Sequence, residues 1–88
     1  MNGAELAQFL TGSGKRIHLI GVAGSGMSGI AGLCISLGHR VSGSDKVASV
    51  ETARLQTLGL DFSTPVNPAK VRDAALVTDA AALGASLQ

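Results

Sequence analysis

The segment Gly21 to Gly29 has the composition and spacing of a diphosphate-binding loop. It follows the apolar run Ile17 to Ile20 and precedes the apolar-rich segment Ile30 to Leu37, so a strand, a glycine-rich turn and a helix are predicted in that order. Backbone N–H groups at a helix start have no intrahelical acceptor, and the helix dipole adds positive potential there. A phosphate reaches those groups only where side chains are absent, which favours glycine in the loop.

The spacing Gly-x-Gly-x-x-Gly is that of the nucleotide-binding fingerprint. The predicted diphosphate-binding residues are Gly24, Ser25, Gly26, Met27, Ser28 and Gly29. Asp45 lies about 20 residues beyond the start of the motif, where such folds place the acid that binds a ribose hydroxyl. Glycine-rich turns also serve plain chain reversal, and the spacing alone leaves that alternative open.

The elements that must position this loop alternate between strands and helices. Strands are predicted over Ile17–Val22, Arg40–Gly43, Leu60–Phe62 and Ala74–Thr78. Helices are predicted over Ala4–Leu10, Gly26–Leu37, Val50–Leu58 and Pro68–Arg72, and Asp79 is a candidate cap for a final segment, Ala80–Leu87. This alternation predicts an α/β, Rossmann-like three-layer domain with a parallel sheet in the order 3-2-1-4. The ligand is expected at the carboxyl edge, where strands one and four diverge.

Length and composition exclude several classes of function. With 88 residues the chain makes one domain at most, and a core of this size is marginal because only about 60–65% of the unfolded surface is buried. The net charge is +1, and there are two Phe and no Trp or Tyr, so no nucleic-acid partner is expected. Glu5 and Gln8 interrupt the N-terminal segment, and no run is long enough to span a membrane, so we expect a cytoplasmic location and no membrane partner.

Several single residues have simple structural interpretations. Cys34 is the only cysteine and lies on the apolar stripe of the second helix, so a buried thiol is predicted, and no cluster has metal-ligand spacing. His18 is expected to be a hydrogen-bonded histidine in the first strand, and His39 an exposed turn residue. Gly29 and Gly32 are expected to let the second helix pack close to the sheet.

A family resemblance begins at the same residues. The segment His18–Ala31, which contains Gly-Met-Ser-Gly, resembles the N-terminal domain of the Mur ligase family. The same domain is resembled by the segment Leu37–Asp45, which ends in Ser-Gly-Ser-Asp. It is also resembled by Leu55–Gly59, which has the pattern Leu-x-x-Leu-Gly. The resemblance covers about Ile17 to Val77 and is closest to the branch that adds L-alanine.

The resemblance implies that UDP-N-acetylmuramic acid is the ligand. Gly24 to Gly29 would then hold the diphosphate, and Ser44 and Asp45 would lie beside the uridine end. The loop after the fourth strand borders the nucleotide in the family, which here points to Thr78 and Asp79. The sequence departs from the family at that loop, where a Ser-Ser or Ser-Ala pair is expected.

The resemblance also implies a larger parent enzyme of peptidoglycan synthesis, an activity linked to cell shape and cell division. That enzyme would bind ATP and Mg²⁺ in a central domain, through a Gly-x-x-Gly-Lys-Thr type loop, and L-alanine in a further domain. Neither is recognisable in the 88 residues. We therefore expect a single fragment, 1–88, with no catalytic residues and no cofactor of its own. Leu33, Ile35 and Leu37 are expected either in the core or on a surface that the other domains would cover and that could drive self-association.

Three alternatives stay open at this stage. The same loop and Asp45 would suit the NAD-binding half of an oxidoreductase, because both ligands have a diphosphate and a ribose. A non-catalytic regulatory or interaction domain is a second alternative, which the short length supports. The third is the related peptide-recycling ligase, since the residues that distinguish it from the L-alanine ligase would lie in the other domains.

Overall fold

A computed structural model describes residues 3–65 and 67–79 of the chain. Its helices are α1 (Gly3–Leu10), α2 (Ser25–Ser36), α3 (Val50–Leu58) and α4 (Pro68–Asp73). Its strands are β1 (Arg16–Ile20), β2 (Arg40–Ser44), β3 (Asp61–Ser63) and β4 (Leu76–Thr78). The predicted alternation is confirmed, with boundaries displaced by at most two residues. The predicted final segment, 80–87, lies outside the described residues.

The four strands form one parallel sheet in the order β3-β2-β1-β4. Ile17 of β1 pairs with Val41 of β2 on one side and with Leu76 of β4 on the other. The predicted fold class and strand order are therefore confirmed. Since β1 is central, the loop that follows it emerges between the carboxyl ends of β2 and β4.

The helices cover the sheet unequally. Helix α2 packs on β2 and on α3, which in turn packs on β3, while α4 packs on β1. Because the step from β3 to β4 runs opposite to the two earlier steps, right-handed crossovers place α4 on the other face from α2 and α3. The buried apolar core lies mainly between α2, α3 and the sheet and comprises Ile17, Leu19, Val22, Met27, Ala31, Cys34, Val41, Leu55 and Leu60.

Local signals explain the ends of α3 and α4. Ser49 and Thr52 form a reciprocal capping box at the start of α3, and Gly59 ends that helix in the left-handed conformation, with φ 117°. Asn67 caps α4 through the Ala69 N–H, with Pro68 at the first helical position. Residues at or next to the helix ends therefore determine where α3 and α4 begin and where α3 ends.

His39 is buried, so the prediction that it is exposed was wrong. Its Nε2 donates to the Leu10 carbonyl at 3.0 Å, and its Nδ1 accepts the Lys15 N–H at 3.3 Å. The Lys15 carbonyl in turn accepts the Arg40 N–H at 2.8 Å. The ring therefore joins the end of α1 to the start of β2, a contact between segments that are distant in sequence.

Close packing of α2 against the sheet does not depend on Gly29 or Gly32, contrary to the expectation. A Cβ on Gly29 would meet no atom within 4 Å, and one on Gly32 would lie 3.8 Å from Leu55 of α3. The close approach occurs instead at Gly43 in β2, where a Cβ would lie 2.7–2.9 Å from the Val22 side chain. That contact joins β2 to the loop after β1 rather than a helix to a strand.

The three apolar residues at the end of α2 divide between surface and core. Leu33 and Leu37 are 54% and 42% exposed, whereas Ile35 is half-buried against the core. Leu33 and Leu37 thus lie on the surface, which is one of the two expected outcomes. Self-association through this surface stays a prediction. Among residues 3–65 and 67–79, no helix is long and apolar enough to span a membrane.

Candidate functional site

The glycine-rich loop turns the chain from β1 into α2. Gly21 follows β1 with φ +77°, a conformation that residues with a Cβ rarely adopt. Gly24 is the N-cap of α2, with φ −70° and ψ 149°, and its N–H donates to the Gly21 carbonyl at 3.1 Å. The predicted strand, glycine turn and helix are therefore present in that order.

The start of α2 carries backbone N–H groups that have no backbone acceptor. The Ser28 N–H donates to the Gly24 carbonyl at 2.9 Å and so belongs to the helix ladder. Within the described residues, the N–H groups of Gly26 and Met27 donate to no backbone carbonyl, and the N-cap residue, Gly24, has no side chain that could cap the helix. Of the predicted diphosphate-binding residues, Ser28 therefore has its backbone N–H engaged within the helix, whereas those of Gly26 and Met27 are not.

The space beside these donors is open. A Cβ on Gly26 or on Gly29 would meet no atom within 4 Å, so neither glycine is required by internal packing. An anion can therefore approach the first turn of α2 without displacing a side chain of the described chain. Met27 itself is buried and anchors the helix in the core, which leaves its N–H rather than its side chain for a ligand.

The end of β2 lies against the glycine-rich loop. The Ser44 carbonyl accepts the N–H groups of Gly21 and Val22 at 2.8 and 3.1 Å. Asp45 is half-buried; its Oδ2 accepts the Ala23 N–H at 3.0 Å, and its Oδ1 accepts its neighbour's N–H, that of Lys46, at 2.7 Å. The structure thus brings both predicted uridine-site residues to the loop, Ser44 through its backbone carbonyl and Asp45 through its carboxylate.

The end of β4 lies on the opposite side of the same loop. Thr78 pairs with Leu19 of β1 and is buried, and its hydroxyl donates to the Asp79 carbonyl at 3.4 Å. Asp79 is exposed. The loop at the end of β1 is therefore flanked by Asp45 on one side and Thr78 on the other, as the strand order requires.

The Ser44 hydroxyl points away from this edge and into the sheet. It lies 3.0 Å from His18 Nε2, and the Ser42 hydroxyl lies 2.8 Å from His18 Nδ1. The prediction of a hydrogen-bonded histidine is confirmed, but its two serine partners were not foreseen, because the register of β1 and β2 is not visible in the sequence. Burial lowers the pKa of His18, the positive charge of Lys70 lowers it further, and Asp61 opposes this effect.

Two other features lie away from the glycine loop. Cys34 is buried in the core, and burial raises the pKa of its thiol, which keeps it protonated and inert at neutral pH. A cavity of about 430 Å³ lies at the opposite, amino-terminal edge of the sheet, between residues such as Arg16, Arg40 and Lys70. It is separate from the predicted site. In the part of the chain that the structure describes, no group of three His, Cys, Asp or Glu could hold a metal ion.

Comparison with known proteins finds several relatives of this chain. A UDP-N-acetylmuramate–L-alanine ligase of Bordetella avium is 49% identical over 71 residues, which are 80% of this chain and 15% of the relative. A ligase of the same name from Dictyoglomus turgidum is 42% identical over 69 residues, which are 78% of this chain and 15% of the relative. One from Ralstonia pickettii is 56% identical over 45 residues, 51% of this chain and 9% of the relative.

The chain thus spans about 15% of the length of the first two relatives. Residues 16–85 also match the sequence model described as "Mur ligase family, catalytic domain". That match includes the whole described sheet and the loop at the end of β1, and it covers most of the 88 residues. On this ground the chain belongs to the Mur ligase family.

Proposed function

We propose that this chain is the part of a UDP-N-acetylmuramate–L-alanine ligase that binds UDP-N-acetylmuramic acid. The observation that carries the proposal is the start of α2, where the N–H groups of Gly26 and Met27 have no backbone acceptor and a Cβ on Gly26 would meet no atom within 4 Å. Such a helix start binds phosphate groups. The printed names of the relatives support the choice of a UDP-linked sugar over other diphosphates.

The roles of the flanking residues follow from their positions at the carboxyl edge. The diphosphate would lie on the first turn of α2, and the uridine end on the side of β2, beside Ser44 and Asp45. Thr78 and Asp79 would border the other side of the nucleotide. The Ser44 hydroxyl is bonded to His18, so Ser44 would contribute its backbone to this site.

A titration tests the proposal directly. UDP and UDP-N-acetylmuramic acid should raise the melting temperature of the 88-residue chain, since a ligand that binds only the folded state stabilises it by about 2.7 kcal/mol at about 100 times its Kd. NAD should leave the melting temperature unchanged. Stabilisation by NAD alone would favour an oxidoreductase domain. If none of the three ligands raised the melting temperature, only a role without binding of these ligands would remain.

Replacing Gly26 by Val tests the location of the diphosphate. The added branches would occupy the open space at the start of α2, so UDP binding should be lost while the fold persists. Ser36→Val is the matched control, because Ser36 is exposed at the far end of the same helix. Calorimetry should show wild-type UDP affinity for Ser36→Val. Wild-type affinity in Gly26→Val would contradict the proposed site.

A further inference from the structure

Three consecutive N–H groups of the glycine-rich loop are held by the end of β2. Those of Gly21 and Val22 donate to the Ser44 carbonyl, and that of Ala23 donates to Asp45 Oδ2. The next residue, Gly24, begins the helix whose free donors form the proposed diphosphate site. The geometry of those donors therefore depends on where the end of β2 holds the loop.

The side chain of Val22 fixes the same loop by packing against Gly43 of β2. It is fully buried, and it occupies the space that a side chain at position 43 would need. Any Cβ at Gly43 would lie 2.7–2.9 Å from it, closer than real Cβ contacts occur. The glycine in Ser-Gly-Ser-Asp is thus required by the loop that packs on it.

Every residue of the segment 42–45 therefore contacts β1 or the loop after it. The hydroxyls of Ser42 and Ser44 bind His18, Gly43 makes room for Val22, and the Asp45 carboxylate binds the Ala23 N–H. The second carboxylate oxygen of Asp45 is held by the Lys46 N–H, which orients the carboxylate toward the loop. A carboxylate that accepts backbone N–H groups forms charge-assisted hydrogen bonds, which are stronger than neutral ones.

We propose that Asp45 is a positioning residue, which fixes the diphosphate-binding turn by holding the Ala23 N–H. This inference rests on the proposed function, because the turn matters only if it binds a diphosphate. Asp45 then supports binding of the diphosphate even where no uridine is present. A residue whose sole role is a contact with the uridine or its ribose would have no such effect.

Comparison of three probes separates these roles. With Asp45→Ala, the affinities for UDP and for inorganic diphosphate should both fall about tenfold, the effect expected when a charge-assisted hydrogen bond is lost. The loss for inorganic diphosphate is the discriminating result, because a contact with the uridine or its ribose could not produce it. Asp73→Ala is the charge-matched control, because Asp73 is exposed at the end of α4, and it should leave all three affinities unchanged. A loss for UDP and uridine with diphosphate unaffected would overturn the proposal.

Hydrogen exchange measured without ligand tests the contact itself. The Ala23 N–H should exchange at least several times faster in Asp45→Ala than in the wild type, while core amides such as that of Leu19 keep their protection. Unchanged exchange at Ala23 would overturn the positioning role. If the wild-type chain binds neither UDP nor diphosphate, the proposed function fails, and the exchange rate of Ala23 alone then decides whether Asp45 holds the loop.

Discussion

His18 is a buried polar residue in the central strand, and its environment determines its protonation. Ser42 donates its hydroxyl to the Ile17 carbonyl at 3.4 Å, so its oxygen is left to accept from His18 Nδ1. The Ser44 hydroxyl can then donate to Nε2. This assignment satisfies a neutral imidazole completely, and in it the ring joins β1 to β2 in the register that the glycine loop requires.

The lowered pKa of His18 predicts an acid-sensitive fold. The unfolded chain binds a proton at His18 near its ordinary pKa of 6.5, whereas the folded chain binds it only at lower pH. The contribution of His18 to stability is therefore complete above pH 6.5 and is lost as the pH falls toward the folded-state pKa. Lys70 strengthens this dependence, and Asp61 weakens it.

Urea unfolding between pH 5.5 and 7.5 measures this effect. The free energy of unfolding of the wild type should decrease as the pH is lowered through this range. His18→Gln keeps a hydrogen-bonding side chain but has no titrating group, so its stability should change less over the same range. An equal pH dependence in the two proteins would show that His18 is not the group responsible.

At the scale of elements, the helices differ in how their first turns are satisfied. Helix α3 is capped by the Ser49 and Thr52 side chains and α4 by that of Asn67, whereas the N-cap of α2 is Gly24, which has no side chain. A glycine at the N-cap stabilises a helix less than a capping Ser or Asp by about a few tenths of a kcal/mol, so the start of α2 lacks that much stability. This lower stability has a functional explanation if a ligand supplies the acceptors for the first N–H groups of α2.

Gly24→Asp should separate stability from binding. The backbone at Gly24 is extended, and a Cβ there would come no closer than 3.5 Å to the Gly21 carbonyl, so the residue fits. The new carboxylate should cap α2 and stabilise the chain by about 0.5–1 kcal/mol. It should also weaken UDP binding at least tenfold, since two charges about 8 Å apart repel by about 2 kcal/mol at an effective dielectric constant near 20.

Ser49→Asp is the control for that experiment. It places the same charge at the N-cap of α3, where a capping side chain already exists. Thermal unfolding and calorimetry should show little change in stability or in UDP affinity for this variant. An unaltered UDP affinity in Gly24→Asp would argue against a diphosphate at the start of α2.

At the scale of the whole molecule, the proposed function predicts that the chain binds UDP-N-acetylmuramic acid without converting it. Phosphoryl transfer from ATP needs a phosphate-binding lysine loop and Mg²⁺ ligands, and the 88 residues contain no Gly-x-x-Gly-Lys-Thr type loop. With ATP, Mg²⁺, L-alanine and UDP-N-acetylmuramic acid, a phosphate-release assay should therefore remain at background. Magnesium-dependent turnover that is lost on substituting a residue of this chain would refute the expectation.

Local sequence determined most of the architecture. The order and type of the elements could be predicted because their signals lie within a few positions of one another. These signals are the apolar runs, the caps at Ser49 and Asn67 and the glycine that ends α3. The glycine spacing likewise located the turn between β1 and α2. The exact ends of the strands shifted because pairing with neighbours, rather than composition, decides where a strand stops.

Only the tertiary structure decided what the polar side chains contact. His39 is buried by its bonds to α1, the Ser44 hydroxyl points to His18, and the Asp45 carboxylate holds Ala23. Each of these contacts joins residues at least 22 positions apart, so no local pattern could reveal it. The need for glycine at position 43 has the same origin, because it arises from a side chain that packs there only after β1 and β2 have paired.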